Sequence, residues 1–203
     1  MIKAGIFDIG GVLIEWSSEY MFEDIIRSLN VTQADIDTHW DQFMHLFEQG
    51  TISERDMWKR FLVAVGKPDQ VIPEESLLLR EFERRFQPHE EVLGIAQKMK
   101  ENGYPLAILS NNNIAHLSFL RTTHILDLFG VKIFSNEVGL EKPTHEIYKI
   151  VLKQLNLSPD ETFFVDDLLE NVEAANDLGI HGIHFENSDK LRKDIEDLGV
   201  NLA

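Results

Sequence analysis

The 203-residue sequence contains no cysteine, so disulfides and thiolate metal sites are excluded from the start. It has no apolar run approaching the ~20 residues a membrane-spanning helix needs, and no charged-plus-apolar leader precedes its first hydrophobic segment. It has no internal repeat and no low-complexity tract. Positive charge is scarce: 19 Lys and Arg stand against 35 Asp and Glu, a formal net charge of −16 with a pI near 4.8. A field of that sign repels polyphosphate and argues against nucleic acid or an anionic membrane as partner. It leaves a small phosphate ester open, because salt screens distant charge beyond ~8 Å and a local cation can dominate at short range. The expectation is a soluble cytoplasmic protein. With 43% hydrophobic residues the chain can bury one substantial core, or a core with a smaller inserted one.

Residues 2–8 read as a buried strand that stops at Asp8 and turns over Gly10 and Gly11, in the stretch FDIGGVL. After Leu13 the pattern becomes helical. Phe22, Ile25, Ile26 and Leu29 share one face, and Ile36, Trp40, Phe43 and Phe47 another. Met57, Trp58, Phe61, Leu62 and Val65 repeat the spacing, as do Leu78, Phe82 and Phe86. Breaks at Asn30, at Gly50 and at Gly66-Lys67-Pro68 separate four amphipathic helices, which predicts a small helical bundle over residues 15–87. At this spacing the tryptophans and phenylalanines are core residues, Trp16 near the hinge being the one candidate ligand contact. From Gln87 onward, helix and strand alternate, with strands at 105–109, 131–134, 162–165 and 180–185 and a helix opening at Pro143. That alternation predicts an α/β fold: a parallel sheet with helices on both faces, built from residues 1–14 and 88–203 and interrupted by the bundle.

Ligands of such sheets sit beyond the carboxyl ends of the strands. The residues there are Asp8; Ser110-Asn111-Asn112-Asn113; the run from Ser135 to Lys142 and Pro143; and Asp166-Asp167. Each alone has a dull reading as a turn former or helix cap. Together they put carboxylates, a hydroxyl, amides and one lysine on a single rim. The eight histidines form no metal-ligand spacing, and His181 and His184 read as structural or surface groups.

These segments resemble the haloacid dehalogenase-like (HAD) hydrolase superfamily over nearly the whole chain. FDIGGVL resembles its first motif, LSNN its second, the lysine of GLEKPTHEIY its third and FVDDLLENVEAANDLGIHGIHF its fourth. The helical insertion is similar to the superfamily's small α-helical cap, and FEQGTISERDMWKRF within it is similar to caps of bacterial sugar-1-phosphate phosphatases. The resemblance implies a Rossmann-like core and a Mg²⁺-dependent phosphatase acting on a small phosphorylated metabolite, for which a sugar 1-phosphate is one candidate. It implies Asp8 as nucleophile, forming an aspartyl-phosphate, and Lys142 bridging Asp8 and the phosphate. Ser110 and the amide of Asn111 would hold the phosphoryl oxygens. Asp8, the Gly10 carbonyl, Asp166 and Asp167 would hold the metal, Asp167 as the principal carboxylate and Asp166 at a position that varies in the family. Asn171 would support the site by hydrogen bonding.

The sequence departs from the pattern at Gly10, where most phosphatases of this kind carry the aspartate that serves as general acid and base. A good leaving group, such as an anomeric phosphate, would need less protonation. Glu15 and Glu19 are candidate substitutes. Two other functions stay open: a 2-haloacid dehalogenase, which would use Asp8 on carbon and need no Asp166-Asp167 pair, and a non-catalytic binding protein.

Overall fold

The computed structural model describes residues 1–15 and 18–203, with the side chains of residues 18–21 left undescribed. Trp16 and the Glu19 side chain therefore lie outside the described residues. Five strands form one parallel sheet: β1 (Ala4–Phe7), β2 (Leu106–Ser110), β3 (Val131–Phe134), β4 (Thr162–Asp166) and β5 (His181–His184), in the order β3-β2-β1-β4-β5. Alternation of side chains explains why β1 is apolar throughout. Phe7 packs into a cluster with Ile108, Val165, Ile95 and Ile195 on one face, while Ile6 packs with Leu109, Phe164, Tyr148 and Val151 on the other. The three central strands are buried along their whole length because helices cover both sides, whereas the edge strands β3 and β5 keep polar, partly exposed positions at Lys132, His181 and His184.

The first face is covered by α5 (Glu90–Glu101) and α10 (Ser188–Asp197), the second by α8 (His145–Leu155) and α9 (Leu169–Asp177). Helix α6 (Ile114–Leu120) follows β2, and its cap is Asn113, whose side-chain oxygen accepts the His116 N–H at 3.0 Å. Two elements differ from the sequence reading. Residues 135–138, to which the sequence assigns no element, form a one-turn helix α7 (Ser135–Val138). The helix read as opening at Pro143 begins two residues later, after Thr144.

The insertion contains α1 (Ser18–Leu29), α2 (Gln33–Glu48), α3 (Glu54–Ala64) and α4 (Leu77–Arg85). Their apolar faces meet in a separate cluster around Ile25, Ile36, Phe47, Trp58 and Phe61. The chain leaves and re-enters the sheet at adjacent points: the Glu15 N–H donates to the Gln87 carbonyl at 2.8 Å and the His89 N–H to the Leu13 carbonyl at 2.9 Å. Helix α4 is tied to the sheet side by Phe82, whose ring stacks on His116 at 4.2 Å between centroids.

Candidate active site

The chain runs from central β1 outward to β2 and β3, then returns to the other side for β4 and β5. The crevice at that reversal lies beyond Asp8, Ser110 and Asp166, the residues at or just after the ends of the three central strands. A cavity of about 590 Å³ opens there, within the range of small-molecule sites. Asp8, Gly10, Ser110, Asn111, Lys142, Asp167 and Asn171 line its floor, and Ile14, Phe82 and Leu168 give it an apolar wall.

Lys142 organises the floor. Its ammonium is buried and sits 2.9 Å from Asp8 Oδ1 and 2.6 Å from Asp166 Oδ2. Burial opposes its charge, but Asp8 and Asp166 outweigh that and hold it above the usual lysine range. The loop that carries it is clamped by Asn111, whose side chain donates to the Lys142 carbonyl at 2.9 Å and accepts its N–H at 2.8 Å. So the Asn111 side chain positions the lysine, a role its place in LSNN does not announce.

The two adjacent aspartates do different things because they straddle the end of a strand. Asp166 faces inward: besides Lys142, it accepts the Asn171 amide at 3.0 Å and the Leu168 N–H at 2.9 Å. Asn171 is fixed in turn, its carbonyl accepting the Tyr148 hydroxyl at 2.8 Å. Asp167 faces the cavity, and His184 Nε2–H donates to its backbone carbonyl at 2.9 Å. Gly11, at φ 73°, lies so close that a Cβ would overlap the Asp167 carboxylate.

Asp8 is pushed above the usual carboxylate range by burial, with Lys142 pulling it back and Asp166 pushing it further. Asp167 is raised by burial and then by Asp166. Three carboxylates thus face one ammonium, and the floor keeps an excess of negative charge. Oxygen donors of Asp8, Asp166 and Asp167 lie within 4.8 Å of one another. That hard-oxygen set fits a divalent cation such as Mg²⁺.

Of the candidates for the missing acid, Glu15 is exposed, accepts the Gln87 side chain at 2.9 Å, and lines a different cavity near the hinge. Asn112 of the strand-end run lines the active cavity too, as do two titratable residues not singled out for the site, Glu48 and His116. Burial lowers the His116 imidazole to about 3, so it stays neutral in the folded protein. A histidine depressed on folding favours the unfolded state once pH falls below its unfolded value near 6.5. Between pH 6.5 and 5 the wild type should lose about 2 kcal/mol more stability than His116→Gln, measured by denaturant titration at both pH values. Equal losses would contradict a neutral, buried His116.

Comparison with known proteins agrees with this geometry. The chain is 33% identical to a sesquiterpene phosphatase of Aspergillus oryzae over 187 residues, which span 92% of this chain and 91% of that one. It is 25% identical over 208 residues to a D-ribitol-5-phosphate phosphatase of Bacteroides thetaiotaomicron, covering 96% and 97% of the two chains. A HAD-family enzyme of the same bacterium, solved as a magnesium complex, superposes with a TM-score of 0.76 at 25% identity over 95% of this chain and 98% of that one. The sequence model of haloacid dehalogenase-like hydrolases matches residues 2–179, and to that family of hydrolases the chain belongs.

Proposed function

We propose that the chain is a Mg²⁺-dependent phosphatase that hydrolyses a small phosphate monoester through an aspartyl-phosphate on Asp8. The observation that supports this most is the Asp8–Lys142–Asp166 arrangement with Asp167 open to the same cavity. Phosphatase relatives covering both chains almost end to end, and the magnesium complex of a structural neighbour, support it further.

Asp8, Asp167 and the Gly10 carbonyl would hold the cation, which supplies the positive charge that lets a phosphate dianion approach a carboxylate. Asp166, although within reach of the same cation, is assigned to holding Lys142. Asp8 attacks phosphorus while Lys142 stabilises the charge spread over the equatorial oxygens, and Ser110 with the Asn111 amide holds those oxygens in place. Water then attacks the aspartyl-phosphate and returns Asp8. The apolar wall of Ile14, Phe82 and Leu168 would receive the carbon skeleton of the leaving alcohol. Residues 15–87 act as the cap that encloses it, which favours a small metabolite over a phosphoprotein. No helix among the described residues is long and apolar enough to cross a membrane.

The test is p-nitrophenyl phosphate hydrolysis with Mg²⁺ and with EDTA. Phosphate release should fall at least ~10²-fold in EDTA and return with Mg²⁺. Halide release from 2-chloropropionate without metal would make the chain a dehalogenase instead, and silence in both assays would make it a binding protein.

A further inference from the structure

The turn that carries Asp8 offers Gly10 where a carboxyl would protonate the leaving group, yet the cavity does contain another carboxyl. It comes from the opposite side. Glu48 is the last residue of α2, and its side chain lines the cavity with Asp8, Gly10 and Asp167.

Three contacts hold that end of α2 on the sheet domain. The Ser135 hydroxyl donates to the Glu48 carbonyl at 2.6 Å, and the same oxygen accepts the Asn112 N–H at 2.9 Å. His45, one turn earlier, pairs with Glu141 at 2.5 Å. Gly50, at φ 69°, passes so close to the Asn136 carbonyl that a Cβ would stand 2.5 Å from it. The Glu48 side chain is therefore presented to the cavity by an anchored backbone. Among the described residues, no protein group hydrogen-bonds its carboxyl, which leaves it available to a ligand.

We propose, resting on the phosphatase reading above, that Glu48 is the general acid and base of this site. It protonates the departing alkoxide and later takes the proton of the attacking water. In the first half, an Asp8 carboxylate oxygen bonds to phosphorus, the ester P–O bond breaks, and the leaving oxygen takes the Glu48 proton. In the second half, water oxygen bonds to phosphorus, its proton goes to the Glu48 carboxylate, and the P–O bond to Asp8 breaks. Phosphate, the Asp8 carboxylate and the Glu48 acid are regenerated.

The surroundings suit a group that must work in both directions. Burial raises the Glu48 carboxyl, Glu141 raises it further, and Asp8 and Asp41 add smaller pushes against the pull of Lys142, leaving it at about 7. Glu141 is shared with His45, and His116 lines the same cavity as a neutral ring. An acid poised near the working pH donates and accepts with comparable ease. With such an acid present, the substrate need not be an anomeric phosphate. The substrate class widens to phosphates of ordinary alcohols.

Glu48→Gln tests this with two esters. On a sugar 6-phosphate, whose leaving group needs a proton, kcat should fall ~10²–10⁴-fold. On p-nitrophenyl phosphate, whose leaving group needs none, the variant should release a burst of nitrophenol equal to the enzyme present and then slow sharply. The burst also shows that the variant is folded and that Asp8 still attacks. The wild-type pH profile of kcat should carry a limb near pH 7 that the variant lacks, and Glu48→Asp should recover part of the rate. Sugar phosphate turnover within about threefold of wild type would overturn the proposal, as would loss of the burst. Failure of the wild type on both esters would instead sink the phosphatase reading on which it rests.

Discussion

Asp8→Asn should lower phosphate release on the order of 10⁴–10⁶-fold while leaving the protein at least as resistant to heat as the wild type. The first half follows from its proposed role as nucleophile, since an amide cannot form the acyl-phosphate. The second follows from the site's electrostatics. Burial and Asp166 raise Asp8 on folding, so its ionised form at pH 7 opposes the folded state. Its neutral isostere relieves that cost, and Lys142 keeps Asp166 at 2.6 Å as a partner. Activity lost with stability kept or gained is the signature of a residue retained for chemistry. A variant that loses activity only because it melts early would contradict this account of Asp8.

Lys142→Met should behave in the opposite way on stability. Among the described residues the ammonium is the only counter-charge within 3 Å of Asp8 and Asp166, and it is nearly inaccessible to water. Removing it leaves two buried carboxylates facing each other, a change that costs about 3–5 kcal/mol. For a chain of this size that lowers the melting temperature on the order of 10 °C, and activity should be lost as well. Lys142→Arg should rescue neither property well, because a planar fork cannot replace a point charge held between two carboxylates and clamped through the Asn111 side chain. Calorimetry at pH 7 reads the effect. A melting temperature within ~2 °C of wild type would show that Lys142 is not the counter-charge described.

The strand-end residues were legible in the sequence because each buried strand is a continuous apolar run that stops at a polar group, and the sheet order brings those stops together. The helices of residues 15–87 were legible from their 3.6-residue spacing. What escaped was set by contacts between distant segments. Glu48 sits at the end of a helix, and only the docking of α2 on Ser135, 87 positions away, turns its side chain into the cavity. Helix α7 is a single turn, too short to show a period. The resemblance ranks Asp167 above Asp166 as a metal carboxylate, but that Asp166 turns inward to Lys142, Asn171 and the Leu168 N–H shows only in the way it faces at the end of β4. The Asn111 clamp on Lys142 likewise appears only when two loops 31 residues apart meet.

The central claim is that Asp8 carries the phosphoryl group. Acid quenching of the enzyme during turnover of p-nitrophenyl phosphate with Mg²⁺, followed by peptide mass mapping, tests it directly. The account predicts one phosphoryl group on the peptide containing Asp8, removed by hydroxylamine and missing in EDTA and in Asp8→Asn. Phosphate release with no such adduct, or with the phosphoryl group on another residue, would contradict it.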